Sequence, residues 1–475
     1  MIKSRALLSL ERVLGLILVS LFGVLLLPHF AYAEAVPVSD PSAIVSLLDA
    51  GAEVILESDI IMTERINVNA ESSIDLNGHT LDLGNSAIYT FGGLTVLDSS
   101  EEKTGVLTGS ATFTVNVGTT SQPGSMTLES GTIRCGGSYC ISNAGNLTVN
   151  GGYIVGNNYV VYSRENSLTI MNGGLIEILN SGDAIILSKP GSGFEMNGGK
   201  IDASFNNAAG VGVFKDTAVV INDGEIVANS FAIYSNGDGG DNAKITVNGG
   251  ILSSDASSVI YAPQRYGENV ITGGTLIGLT GIEIRAGNLT ISGGTLKGAM
   301  DTYEVTANDN GLTTKGAAVS IAQHTTKQPI NILIIGGNFE ANVPLSHTNP
   351  LGNSDEDIAK VDILITGGIF DTDSGIPIIN VAGTRILAGG IFANPVTEFV
   401  MDGYVEKPLE GTVVEVVPIS DDPILVPDTG AYTRKNDYVA TVVSVLAGIA
   451  FASVPMYFII TRIKIRKAKV TFTKR

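Results

Sequence analysis

Two distant segments of this 475-residue chain carry nearly the same phrase: NLTVNGGYIVG at 146–156 and NLTISGGTLKG at 288–298. Each is a short alternating apolar run, a Gly-Gly pair, a second apolar run and a closing Gly. The second Gly of each phrase, or its equivalent, falls at Gly131, Gly152, Gly174, Gly199, Gly224, Gly250, Gly274 and Gly294, with intervals of 21, 22, 25, 25, 26, 24 and 20 residues. The phrase returns at Gly337, Gly368 and Gly390, after gaps of 43, 31 and 22 residues. A period of this length built from short β-type runs is the signature of a solenoid.

Each period divides into three beats. LTVN, LTIMN, FEMN, VVIN and ITVN lead into the Gly pair, and YIVG, LIEIL, KID and EIV leave it. A third apolar beat follows: VVY (160–162), AII (184–186), AIY (232–234) and VIY (259–261). The runs are β-branched and alternate as half-buried strands do. Three strands and three turns make one coil of a parallel β-helix. Asn-Gly and Gly-Gly supply the positive φ that a sharp corner needs, where a Cβ would cost energy. Glycine makes up 57 of the 475 residues, against a usual share of about 7%. With coils about 4.8 Å apart, some 13 of them predict a stack of roughly 60 Å. Leucine-rich repeats and propellers need a Leu/Asn consensus or Trp-Asp signals that this sequence lacks.

A solenoid must cover its open ends. SDPSAIVSLLDAG (39–51) predicts a helical lid, with Ser39 or Asp40 capping and Ile44, Val45, Leu47 and Leu48 forming the apolar face. SIDLNGHTLDLG (73–84) follows, and the last coils read GGNFEANV, GGIFDTD and GGIFANPVTEFVMDGYV (389–405). The first of these resembles the LDLNGHTL opening coil of exported bacterial proteins in the pectin-lyase-like superfamily. The last resembles the closing coil of such proteins from Gram-positive bacteria. Over residues 54–405 the resemblance implies an all-β fold, a right-handed parallel β-helix, and a surface location.

The two ends are processing and anchoring signals. Lys3, Arg5 and Arg12 precede the apolar run 13–27, and Ala31-Tyr32-Ala33 closes it, as in a secretory signal peptide cut after Ala33. YVATVVSVLAGIAFASVPMYFII (438–460) is long enough to span a bilayer as a transmembrane helix. Seven cations follow it in 461–475, which places that tail in the cytoplasm and everything before Tyr438 outside. The expected organisation is therefore a leader (1–33), an N-terminal cap (34–53), the β-helix (54–408), a spacer (409–437), the span and the tail. Within the spacer, Val426-Pro427-Asp428-Thr429-Gly430 resembles the LPxTG signal read by sortases, with Val where the family has Leu. The resemblance implies cleavage at Thr429–Gly430 and transfer to peptidoglycan. A permanent single-span anchor in the membrane is the alternative.

The net charge of −19 conceals a polarity. Residues 34–433 carry 16 Lys and Arg against 45 Asp and Glu, a net −29. That excludes general polyanion binding, nucleic acid included, and leaves only local basic features to engage an anion. Six cations fall seven or eight residues ahead of the position before a Gly pair: Arg164, Lys189, Lys215, Arg265, Arg285 and Lys327. In register they would stack at one corner as a basic stripe, either a track for an anionic polymer or solvated charges paired with neighbours.

Cys135 and Cys140 are the sole cysteines. In an exported protein they can close a small disulfide loop, whereas a metal site needs more ligands than two thiols. Enzymes of the pectin-lyase-like superfamily cleave acidic polysaccharides with clustered Asp, some with Ca²⁺, but none of those residues carries over here. The hydrolases' Arg-Ile-Lys recurs only at 462–464, in the tail. Asp238 and Asp241 in NGDGGDN could ligate Ca²⁺ but lack the spacing of a Ca²⁺ loop, so a polar turn is expected and no cofactor. His79 reads as structural in its NGHT corner, and the absence of Trp weighs against a sugar site. Two insertions, 299–329 and 341–361, break the period and offer either binding function or disordered loops. The function expected is a non-catalytic surface adhesin or display protein with glycan or anionic-polymer partners. An anchored polysaccharide lyase or hydrolase is the alternative.

Overall fold

The protein is described here from a computed structural model covering residues 35–237 and 242–419. The leader, Asp238–Asp241, the sorting motif Val426–Gly430, the apolar stretch 438–460 and the basic tail lie outside the described residues. Among those described, no helix is long and apolar enough to cross a membrane.

The three beats become three parallel sheets, with successive strands visiting each sheet in turn. Sheet A gathers the runs before the Gly pairs, sheet B the runs after them, and sheet C the third beat; among the described residues they hold 14, 16 and 13 strands. Alternation decides which side chains face in. In strand Asn146–Val149, Leu147 and Val149 are buried and Asn146 is exposed. Equivalent residues stack from coil to coil: Ile141, Val161, Ile185, Val211 and Ile233 form one inward column of sheet C. Each such buried side chain contributes about 1.5–3 kcal/mol, so the core is a set of continuous apolar columns. Toward the C-terminal coils Phe339, Phe370 and Phe392 take over one column, their centroids 4.5 and 4.7 Å apart.

The Gly pairs form the corner between sheets A and B. Gly174 has φ +78°, and a Cβ there would stand 2.7 Å from Gly152 O of the coil before. Gly199, Gly224 and Gly250 meet the preceding coil's glycine in the same way. The corner therefore requires glycine twice over, for its φ and for the close approach of coil on coil. The Asn just ahead of the pair builds a ladder along the same edge. Asn150 Nδ2 donates to Glu129 Oε1 at 2.8 Å. Asn172, Asn197, Asn222 and Asn248 each donate to the amide oxygen of the rung before, at 2.8–3.0 Å. Thr272 Oγ1 donates to Asn248 Oδ1 at 2.8 Å and closes it.

At the N-terminal side, strand Val36–Val38 pairs with Glu53–Leu56. Between them a helix, Pro41–Asp49, starts where Asp40 accepts from Ser42 N at 2.9 Å, and it buries Ile44 and Leu48 in the shared core. At the other side the parallel order stops: Ile391–Phe392 pairs antiparallel with Val414–Pro418, which buries Val414 and Val416. Cys135 and Cys140 are joined by a disulfide across the turn from sheet B to sheet C.

Candidate functional site

All six cations of the expected stripe lie just beyond sheet C strands, but they do not share a register. Arg164 and Arg285 stand one residue past the common line, Lys189 and Lys215 two, Arg265 three and Lys327 six. Lys189, Lys215 and Arg265 are exposed. Lys327 is held 2.8 Å from Asp357, whose other oxygen takes Lys360 at 2.8 Å. Arg285 corrects the expectation outright, because it is fully buried. Its guanidinium donates to Ala322 O, Tyr261 Oη and Gly311 O, each at 3.3 Å. It serves the packing of an insertion and belongs to no surface track.

What the structure does collect is aromatic. On the outer face of sheet C one register row runs Tyr89, Asn116, Ser142, Tyr162, Ile186, Gly212, Tyr234, Tyr261 and Glu283. A parallel row runs Phe113, Tyr139, Tyr159 and Asp183. Phe91, Phe214 and Phe231 pack in from the flanking turns. Tyr139, Tyr159 and Tyr162 cluster with centroids 4.7–6.4 Å apart, and Phe214, Phe231 and Tyr234 form a second cluster at 5.7 and 5.9 Å. The rings stay half-buried from Tyr89 to Tyr234. Low aromatic content and the lack of Trp hid this, because composition does not show that part of the Tyr and Phe gathers along one face. The signal was the Tyr that closes VVY, AIY and VIY in the third beat.

Asp183 sits at the middle of this face yet is only 6% exposed. Tyr234, two coils on, lies back across the sheet and donates from Oη to Asp183 Oδ2 at 3.1 Å. Gly212 makes that possible: a Cβ there would stand 3.0 Å from Phe214 Cε2 and 3.2 Å from both Cε1 and Oη of Tyr234. Burial pushes the Asp183 carboxyl up to about 7, although the Tyr234 hydrogen bond pulls the other way. Burial also raises the Tyr234 phenol, and the neighbouring Asp183 charge adds to it.

Nearer the N-terminal coils the face opens into a depression of about 610 Å³, lined by Tyr89, Phe113, Asn116, the Gly118–Ser121 turn and Arg164. Tyr89 and Phe113 meet edge to face at 5.4 Å. Arg65 stands 4.7 Å over the Tyr89 ring, and Arg164 is drawn onto the sheet by Ser142 Oγ, 2.7 Å from its Nε. Neither arginine has a carboxylate at ion-pairing distance among the described residues. Rings, an amide, hydroxyls and Arg164 around one hollow, with Arg65 stacked on one of its rings, suit a hydroxylated ring carrying negative charge.

Both insertions are ordered against the coils. In the first, Glu304–Val305 and Thr314–Lys315 form an antiparallel pair. Thr313 N reaches both Glu283 oxygens at 2.9 Å, and Thr314 N reaches Oε2 at 3.1 Å. Burial pushes Glu283 up to about 7, while those donors and Arg285 pull it down. In the second, Ser354 caps a short helix, Asp355–Ile358, and Asp357 gathers Lys327, Lys360 and Ser354. His79 lies 3.7 Å from Asp59 in its corner. Among the described residues no group of three His, Cys, Asp or Glu could hold a metal ion. Comparison with family models, curated proteins and solved structures finds no match for this chain.

Proposed function

We propose that this chain is an exported, envelope-attached β-helix of right hand that acts as a non-catalytic adhesin, binding glycan along the outer face of sheet C. The observation that carries this reading is the open aromatic face from Tyr89 to Tyr234, flanked by Arg65 and Arg164. Sugar rings stack on such surfaces, and the two arginines favour a carboxylated sugar inside an otherwise acidic exterior. The helix Pro41–Asp49 would close the N-terminal coil, as a capping element does. In this reading residues 34–425 lie outside the cell, and VPDTG directs either sortase transfer or, left uncut, a membrane-anchored form.

A glycan array probed with the full-length chain tests the binding. Tyr159→Ala with Tyr162→Ala should lower affinity at least about tenfold, since each ring contributes about 0.5–1.5 kcal/mol beyond area. Unchanged binding defeats the assignment to this face. Digestion of cell walls followed by mass spectrometry tests the attachment: a wall-linked peptide ending at Thr429 means sortase processing, and intact protein in the membrane fraction means an anchor. Asp183 favours one second reading, a polysaccharide hydrolase or lyase, because a carboxyl near 7 suits proton transfer. New reducing ends or unsaturated uronates, lost in Asp183→Asn, would establish it.

A further inference from the structure

The outer row of sheet C changes character along its length. From Tyr89 to Tyr234 the large rings of the row, Tyr89, Tyr162 and Tyr234, stay half-exposed with the smaller Asn116, Ser142, Ile186 and Gly212 buried between them. Beyond them the large side chains are covered too: Tyr261 is 3% exposed and Glu283, Ser320 and Ser346 are fully buried, although their register points them outward. The cause is the first insertion, which lies over them. Gly311 N donates to Tyr261 Oη at 3.1 Å, Ser320 Oγ donates to Thr314 Oγ1 at 2.8 Å, and Tyr303 Oη meets Ser346 Oγ at 2.8 Å. Glu283 and Arg285 grip the same segment from beneath. Contacts spread over four coils fix it as a wall. At the other side sheet C begins with Ile66–Val68, where Arg65 is exposed and Asn67 is half-exposed.

We infer that this wall makes the face a one-ended groove that seats the terminus of a glycan chain and excludes internal segments of a polymer. The inference rests on the glycan-binding reading. Six strand steps separate Tyr89 from Tyr234, about 29 Å. A pyranose in an extended chain advances by nearly one strand spacing, so the open stretch holds about six sugars between the wall and Arg65. A longer chain overhangs past Arg65 while its end abuts the segment at Gly311 and Phe231. The 299–316 segment thereby selects which part of a polymer is bound, without contributing to the stacking itself.

The test uses the full-length chain in detergent, titrated with polygalacturonate and with neutral cello-oligosaccharides, each size-fractionated from dimer to dodecamer, and with the parent uronate polymer at two chain lengths. Affinity should rise with each added sugar up to about the hexamer and stay level beyond it. Light scattering should count one protein per polymer chain at both lengths. Protein bound in proportion to chain length overturns the inference and leaves glycan binding intact. Binding to neither probe overturns both.

Discussion

Replacing Asp183 by Asn should stabilise the protein at about pH 8 and leave it unchanged near pH 4. The unfolded carboxyl titrates near 3.8, and the folded one, buried among Tyr159, Tyr234 and the sheet, near 7. Below the first value both states are protonated and burial carries no electrostatic cost. Between the two the unfolded state gives up its proton while the folded state keeps it, so stability falls by about 1.4 kcal/mol per pH unit. The stability is thus fully present at low pH and lost as pH rises through about 7, where the loss levels off at about 4 kcal/mol. Asn has the same shape and keeps an oxygen for Tyr234 Oη, but it never ionises. Urea midpoints for the wild type and variant, taken across this range at constant ionic strength, should therefore diverge as pH rises. A difference independent of pH, or a less stable variant at high pH, would refute the reasoning. Glu283→Gln provides the contrast. Glu283 accepts from Thr313 N, Thr313 Oγ1 and Thr314 N, and a Gln would turn its own NH₂ toward one of those donors. That variant should lose about 1–3 kcal/mol at low pH, and the deficit should narrow as pH rises toward about 7, because burial holds the Glu283 carboxyl protonated in the folded state as it does Asp183.

Three further outcomes are expected. Gly212→Ala should cost about 1–3 kcal/mol, since its methyl forces Tyr234 off Asp183; thermal unfolding and the tyrosine near-ultraviolet dichroism would show both effects. Cys140→Ser should cost about 2 kcal/mol through the opened short loop, and reducing the wild type should bring its urea midpoint to that of the variant. Asp357 is held well below the ordinary carboxylate range by Lys327 first, then Lys360 and Ser354. That stabilisation is present above the unfolded carboxylate value and is lost as pH falls through the depressed folded one. Asp357→Asn should therefore loosen residues 349–361 at neutral pH, seen as faster proteolysis there, and the difference from wild type should vanish in strong acid.

The period of the glycines carried the fold, because only a corner of stacked coils needs positive φ at Gly152, Gly174 and their equivalents, and only glycine tolerates the spacing. The inward columns followed from alternation. The site was less legible for two physical reasons. Counting along the chain assigns a side chain to a corner but not to inside or outside, so Arg285 and Lys215 look alike in sequence although one is buried and the other exposed. The aromatic face depends on pairs such as Tyr234 and Asp183, 51 residues apart, which become neighbours only because Gly212 between them has no side chain. The 299–329 and 341–361 insertions leave binding function and disordered loops both open in the sequence, because their order comes from scattered contacts to Glu283, Ser346 and Lys327, which leave no periodic trace.

The asparagine ladder has a direction. Every rung donates toward the N-terminal coils and accepts from the C-terminal side, so the amide dipoles of Asn150, Asn172, Asn197, Asn222 and Asn248 point the same way and add. A column of aligned amides has a positive end and a negative end, as an α-helix does. Here the positive end meets the carboxylate of Glu129, and the negative end meets the hydroxyl hydrogen of Thr272. An edge made only of side chains is thus terminated by the rule that governs helix ends: an anion where the donors finish and a donor where the acceptors do.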